Sequence, residues 1–333
     1  MPYAHGPSPS GADGDTLWVR LRHDMATESS EETSERVAFL GNQQSASARM
    51  HVVPVAWLAS RLTSGVRVID ASWYLPAAKR QPKADFAKQR IPGARFFDLD
   101  STDDTSGLPH QLPSATFFGR TMASLGVAQS DEIVCYDTAG IFSAPRLWCM
   151  LRAYGYDGAR VLDGGLPAWI AAGQPTETSP PPEPVSDADA PTPTLNSDLY
   201  ATMTGVRANL EARDGFTLLD ARPAGRFAGR DPEPRAGLRL GHVPGSKNVP
   251  FSLLVDKETG TLHPPDQLRS VFKSAGVDID APTEIVTSCG SGVTACVVSL
   301  ALASIGRDNV ATYDGSWAEW GAHDTVPVDT SRE

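Results

Sequence analysis

Two tandem α/β units, each a mostly parallel sheet flanked by helices, are the architecture this sequence predicts, and three observations carry the prediction. The chain repeats itself, with five blocks of one half returning in the same order and at matching spacing in the other. Within each half, short apolar runs of strand length alternate with longer helical runs, the signature of a parallel sheet covered on both faces. Between the halves lies a stretch crowded with Pro, Ser, Thr and acidic residues.

Residues 1–48 are polar, rich in Ser, Glu and Gly, and contain no apolar core of a secretory signal. Their acidic residues, among them Asp13, Asp15, Glu31 and Glu32, argue against a mitochondrial presequence. They are predicted to be a disordered extension, or to precede a true start at Met50. The first unit, 51–172, carries VRVIDAS (66–72), RIPGARFFD (90–98), DEIVCYD (131–137), SAPRLWCMLRAYG (143–155) and VLDGGLPAW (161–169). Residues 173–197 form the linker, which Pro makes extended and semi-rigid, able to wrap one domain around the other. The second unit, 198–328, answers with FTLLDAR, GHVPGSKNVPF, TEIVTSC, VTACVVSLALASIG and ATYDGSWAEW.

The 333 residues carry a net charge of -11 and no run of Lys or Arg, which excludes nucleic acid as the main partner. Residues 285–306 are uncharged, yet their first half is rich in Gly, Ser and Thr and divides into strand, loop and helix rather than a membrane span. Four cysteines with no C-x-x-C pair are too few for a disulfide scaffold. A reducing compartment follows, the cytoplasm first and mitochondria as the alternative. The seven histidines show no metal-ligand spacing, and neither a metal nor another cofactor is expected.

The chemistry concentrates in IVTSCGSGVTAC (285–296). A strand ending at Cys289 delivers a thiol into a loop where Gly290 and Gly292 let backbone N–H groups turn inward. A helix opening near Val293 or Thr294 adds its positive end, and both effects favour thiolate. A packed turn cysteine is the bland alternative. The first half has Asp137 in this place, followed by TAGIFSAPR, so one half alone can carry cysteine chemistry and the other supplies a wall of the cleft. Cys296, seven residues after Cys289 and about two turns along if the helix starts immediately, and Cys135 and Cys149 are expected to be buried and inert.

These residues resemble the tandem-domain rhodanese-like sulfurtransferases, and within them the 3-mercaptopyruvate sulfurtransferases. CGSGVTAC (289–296), DARPAGRF (220–227), PEPR (232–235), GHVPGSKNVPF (241–251), FSAPR (142–146) and YDGSW (313–317) carry the likeness. It implies that Cys289 takes sulfur from a small donor as a persulfide and passes it to a thiol such as thioredoxin, or to cyanide. Residues Gly290, Ser291, Gly292, Val293, Thr294 and Ala295 would cradle the outer sulfur. Arg226 and Arg235 would bind the donor carboxylate, against the alternative that they pair with Asp231 and Glu233. Ser291 would bond a keto or carboxyl oxygen. Gly290 and Ser291, where thiosulfate-preferring members typically carry basic residues, favour mercaptopyruvate over thiosulfate.

Members of the family often hold a His before the first I-P-G and an Asp upstream, proposed to act with the loop Ser as a triad. Those positions here hold Arg90 and, by gapless alignment from Trp73, Gln81, so the resemblance implies that the triad cannot operate. His242 aligns with Arg90 by the repeat and is expected to be a turn residue packed against the interface. A cysteine phosphatase would need Arg where Ala295 stands. A non-enzymatic module would not retain Cys289 in an intact loop.

Overall fold

Each half builds a five-stranded sheet in which every neighbouring pair is parallel. The computed structural model describes residues 50–180, 183–187, 190–212 and 215–330, and the expected extension over residues 1–48 lies outside the described residues. In the first half the elements run β1 (Val52–Val53), α1 (Val55–Ala59), β2 (Arg67–Asp70), α2 (Pro82–Lys88), β3 (Arg95–Phe96), α3 (Ala115–Ser124), β4 (Ile133–Tyr136), α4 (Ala144–Ala153), β5 (Ala159–Leu162) and α5 (Gly165–Ala171). The second half repeats them as β6 (Tyr200–Ala201), α6 (Met203–Glu211), β7 (Thr217–Asp220), α7 (Ala224–Phe227), β8 (Lys247–Asn248), α8 (Pro265–Ser274), β9 (Ile285–Ser288), α9 (Ala295–Ser304), β10 (Val310–Tyr313) and α10 (Ser316–Trp320). Strand order is β1-β5-β4-β2-β3 in one sheet and β6-β10-β9-β7-β8 in the other, the same topology twice.

Apolar residues feed both faces of each sheet because successive strand side chains point to opposite sides. Ile69, Cys135 and Val161 enter one core, while Val68, Val134 and Leu162 enter another. Leu219 and Ile285 separate in the same way from Leu218 and Val286. Helix α9 is buried from Ala295 to Ala303, which explains its lack of a polar face: one side covers its own sheet, and Cys296, Val297 and Leu300 meet Leu147, Trp148 and Leu151 of α4. At 10 residues it is far too short for a bilayer. No helix among the described residues is long and apolar enough to cross a membrane.

The linker, where described, lies along the first half. Arg90 and Glu177 exchange backbone hydrogen bonds at 3.1 and 2.9 Å, the Val185 N–H donates to Ser124 O, and the Asn196 N–H donates to Ala153 O. Gly119 of α3 sits beneath it, where a Cβ would stand 2.4 Å from the Pro191 carbonyl oxygen.

Candidate active site

Cys289 follows β9 directly and is held by its backbone. Its N–H donates to Ser316 Oγ at 3.2 Å, its carbonyl accepts from the Trp317 N–H at 3.0 Å, and the Gly290 carbonyl accepts from the Ala318 N–H. Helix α9 opens at Ala295 rather than at Val293 or Thr294, so Cys296 lies in its first turn and not two turns along. Its thiol is buried and donates to Gly292 O. The intervening residues form an open loop. Among the described residues, none of the backbone N–H groups of residues 290–295 has an acceptor, although the loop is almost wholly enclosed. Buried N–H groups are rarely left unpaired, so this loop has donors with which it can receive an anion.

Both loop glycines make room for arginines. A Cβ on Gly290 would stand 3.1 Å from Arg226 Nη2, and one on Gly292, where φ is +79°, would stand 3.1 Å from Arg146 Nη1. Arg146 belongs to α4 of the first half, is fully buried, and donates to both His110 O and Asp314 Oδ1 at 2.5 Å. Asp314 in turn accepts from the Leu112 N–H at 2.8 Å. The loop around His110 is thereby clamped to the second half.

A cavity of about 130 Å³ opens over the cysteine. Cys289, Gly290, Ser291, Val293, Thr294, Arg226 and Arg235 line it, together with Trp73 and Phe142 of the first half. Gly292 and Ala295 do not; the first turns the chain and the second, the opening residue of α9, enters the core. The two arginines differ. Arg226 is paired with Glu233 through Nε, at 3.2 Å to each carboxylate oxygen, and through a short Nη2 contact, as the alternative reading foresaw. Arg235 makes no ion pair among the described residues, and partial burial lowers the pKa of its guanidinium.

Arg90 and Gln81 do not approach the loop serine, and a Ser–His–Asp chain is built from other residues. Ser291 Oγ lies 2.9 Å from His110 Nδ1, and His110 Nε2 lies 3.0 Å from Asp100 Oδ1. An ionised carboxylate only accepts, so Asp100 places the imidazole proton on Nε2 and leaves Nδ1 to accept from Ser291. The indole Nε1 of Trp73 donates to both Asp100 oxygens at 3.1 and 3.2 Å, and its ring meets His110 edge-on at 4.5 Å. The bond from His110, and then that from Trp73, hold the Asp100 carboxyl below its usual range. His110 is buried with φ +60°, a left-handed conformation held by its surroundings, as strained residues at sites are.

Arg90 and Gln81 have other work. Arg90 is a buried structural cation paired with Glu177, and Gln81 is the exposed residue preceding α2. His242 does not face the interface; it stacks on Phe227 at 3.7 Å and bonds Phe227 O within its own half. The alignment that placed the triad at Arg90 followed the I-P-G motif, whereas the reacting loop lies farther along. A signal for it exists in the repeat: G-L-P-H at 107–110 matches G-T-L-H at 260–263.

The rhodanese-like domain profile matches residues 54–172 and again 202–323. Thiosulfate/3-mercaptopyruvate sulfurtransferase 2 of Arabidopsis thaliana is 39% identical over 83% of this chain and 86% of its own. The 3-mercaptopyruvate sulfurtransferase of Rattus norvegicus is 40% identical over 81% of this chain and 91% of its own. Among solved structures, the 3-mercaptopyruvate sulfotransferase SseA of Escherichia coli superposes with a TM-score of 0.71 at 37% identity, covering 80% of this chain and 99% of that one. With the family profile found twice, one parallel sheet per match and relatives of this identity over most of their length, the chain belongs to the rhodanese-like family as a tandem-domain sulfurtransferase.

Proposed function

We propose that the protein moves sulfur from 3-mercaptopyruvate to a thiol acceptor through a persulfide on Cys289. The observation that carries this reading is the anion receptor of residues 290–295 around a buried cysteine, in a cavity with one arginine free of ion pairs. The Cys289 thiolate attacks the donor sulfur, the donor C–S bond breaks, and its electron pair leaves as the enolate of pyruvate. Arg235 and the free edge of Arg226 hold the donor carboxylate. Ser291, backed by His110 and Asp100, donates to the keto oxygen as charge develops there, and the enolate carbon then takes a proton to give pyruvate. The outer sulfur stays anionic among the loop N–H groups until the acceptor thiol attacks it, restoring the Cys289 thiolate and leaving with the sulfur. Thioredoxin suits the acceptor role, cyanide substitutes for it in the test tube, and the acidic N-terminal residues favour the cytoplasm over mitochondria.

Incubation with 3-mercaptopyruvate is expected to add one sulfur to the Cys289 peptide by mass spectrometry, with pyruvate released in equal amount. Absence of the adduct on folded protein would sink the proposal. Higher kcat/KM with thiosulfate on the same preparation would reassign the donor.

A further inference from the structure

The site holds more charge than the reaction uses. Asp220 accepts from Arg222 Nε, Nη2 and the Arg222 N–H, and Arg222 Nη1 donates to Glu233 Oε1 at 2.8 Å. The other face of Glu233 takes Arg226. The Glu233 side chain is only 2% exposed, so it is shielded from water, and its two ion pairs are with these two cations. Arg222 is further fixed by Trp317, whose ring lies 4.2 Å beneath its guanidinium. Two carboxylates and two guanidiniums therefore cancel along one wall of the cavity. Arg235 makes no ion pair among the described residues, although Cys289, Arg226, Asp100 and Glu233 all act on it electrostatically, and Asp100 hydrogen-bonds His110 and Trp73.

We propose that Glu233 sets the charge of the cavity: it neutralises and fixes Arg226, leaves Arg235 as the lining cation without an ion pair of its own, and so selects donors with one negative charge over donors with two. Glu233 acts through Arg226 and touches no substrate, which makes it a positioning residue for specificity. The local turn serves this placement. The N–H groups of Arg230 and Asp231 both return to Gly225 O, and Gly225 has no Cβ because the Asp231 carboxylate would lie 1.9 Å from it. The fold of this loop brings Glu233 back beneath Arg226. A second cation without an ion pair, at close range in a poorly hydrated cavity, would favour a dianion such as thiosulfate over the monocarboxylate 3-mercaptopyruvate.

The inference rests on the sulfurtransferase reading, and the test separates the two. Glu233→Gln keeps the shape and removes the charge. In steady-state assays the ratio of kcat/KM for thiosulfate to that for 3-mercaptopyruvate is expected to rise about tenfold, through KM, with kcat for 3-mercaptopyruvate within about threefold of wild type. Glu233→Asp, which keeps the charge, is expected to leave the ratio near wild type. Independently of turnover, alkylation of Cys289 by iodoacetate relative to neutral iodoacetamide is expected to accelerate in Glu233→Gln. Equal losses with both donors and an unchanged alkylation ratio, in a variant that melts as wild type does, would overturn the proposal. Failure of wild type to use either donor would overturn the function while leaving the alkylation ratio to judge Glu233.

Discussion

The loop after β4 and the loop after β9 are copies of one design, and one of them is filled. In the first half the Asp137 carboxylate accepts from the N–H groups of Ala139, Phe142, Ser143 and Ala144, at 2.8 to 3.0 Å. Its carbonyl accepts from the Leu166 N–H as that of Cys289 accepts from the Trp317 N–H. The loop is also capped: a Cβ on Gly140 would stand 2.8 Å from Gly260 of the second half. In the second half the receptor is left empty of protein groups and a cavity opens above it. The first half nevertheless places Trp73 in the cavity lining, and His110, Asp100 and Arg146 in the hydrogen-bond chains that reach Ser291 and Asp314.

Three substitutions break or sharpen this contrast. Cys289→Asp would turn the active loop into a copy of the inactive one. Turnover is expected to fall by at least about 10⁴-fold, as for removal of a nucleophile, while the melting temperature stays at or above that of wild type because the carboxylate meets waiting donors. A marked drop in melting temperature would show that the loop N–H groups are not arranged for an anion. His110→Asn tests whether the inactive half takes part in chemistry. A loss of about 10²-fold in kcat/KM is expected, with the folded protein retained, and full activity would reduce the Ser291 chain to scaffolding.

The smallest effect compares Asp70 with its counterpart Asp220. Asp220 is paired with Arg222, whereas Asp70 has no ion pair among the described residues and burial pushes its carboxyl up from 3.8 to about 6. With the folded pKa above the unfolded one, ionisation costs nothing below about pH 4 and its full cost above about pH 6. Two units correspond to about 3 kcal/mol, so Asp70→Asn is expected to gain about that much stability relative to wild type between pH 4 and pH 7. Denaturant titrations at the two pH values measure it, and a constant difference between the proteins would refute the shift.

The two tandem parallel units were legible in the chain because apolar blocks of strand length alternate with helical runs and return in the same order, whereas the strand order was not. Cys289, Gly290 and Ser291 sit in one contiguous motif, and local spacing locates them. His110 lies 181 residues from Ser291, in an irregular segment whose path is set by Arg146 and Asp314. No periodicity governs such a segment, so a motif alignment slid to Arg90 and found no base. Glu233 was visible as an acidic neighbour of Arg226, but only the folded loop distinguishes a surface pair from a buried one joined to Arg222 and Asp220.

The burial of α9 on both sides makes the halves dependent on each other. The second half alone would emerge with the apolar flank that meets α4 turned to water, and with Ser291 deprived of its imidazole. Packing across α4 and α9 thus ties the two copies into one folding unit.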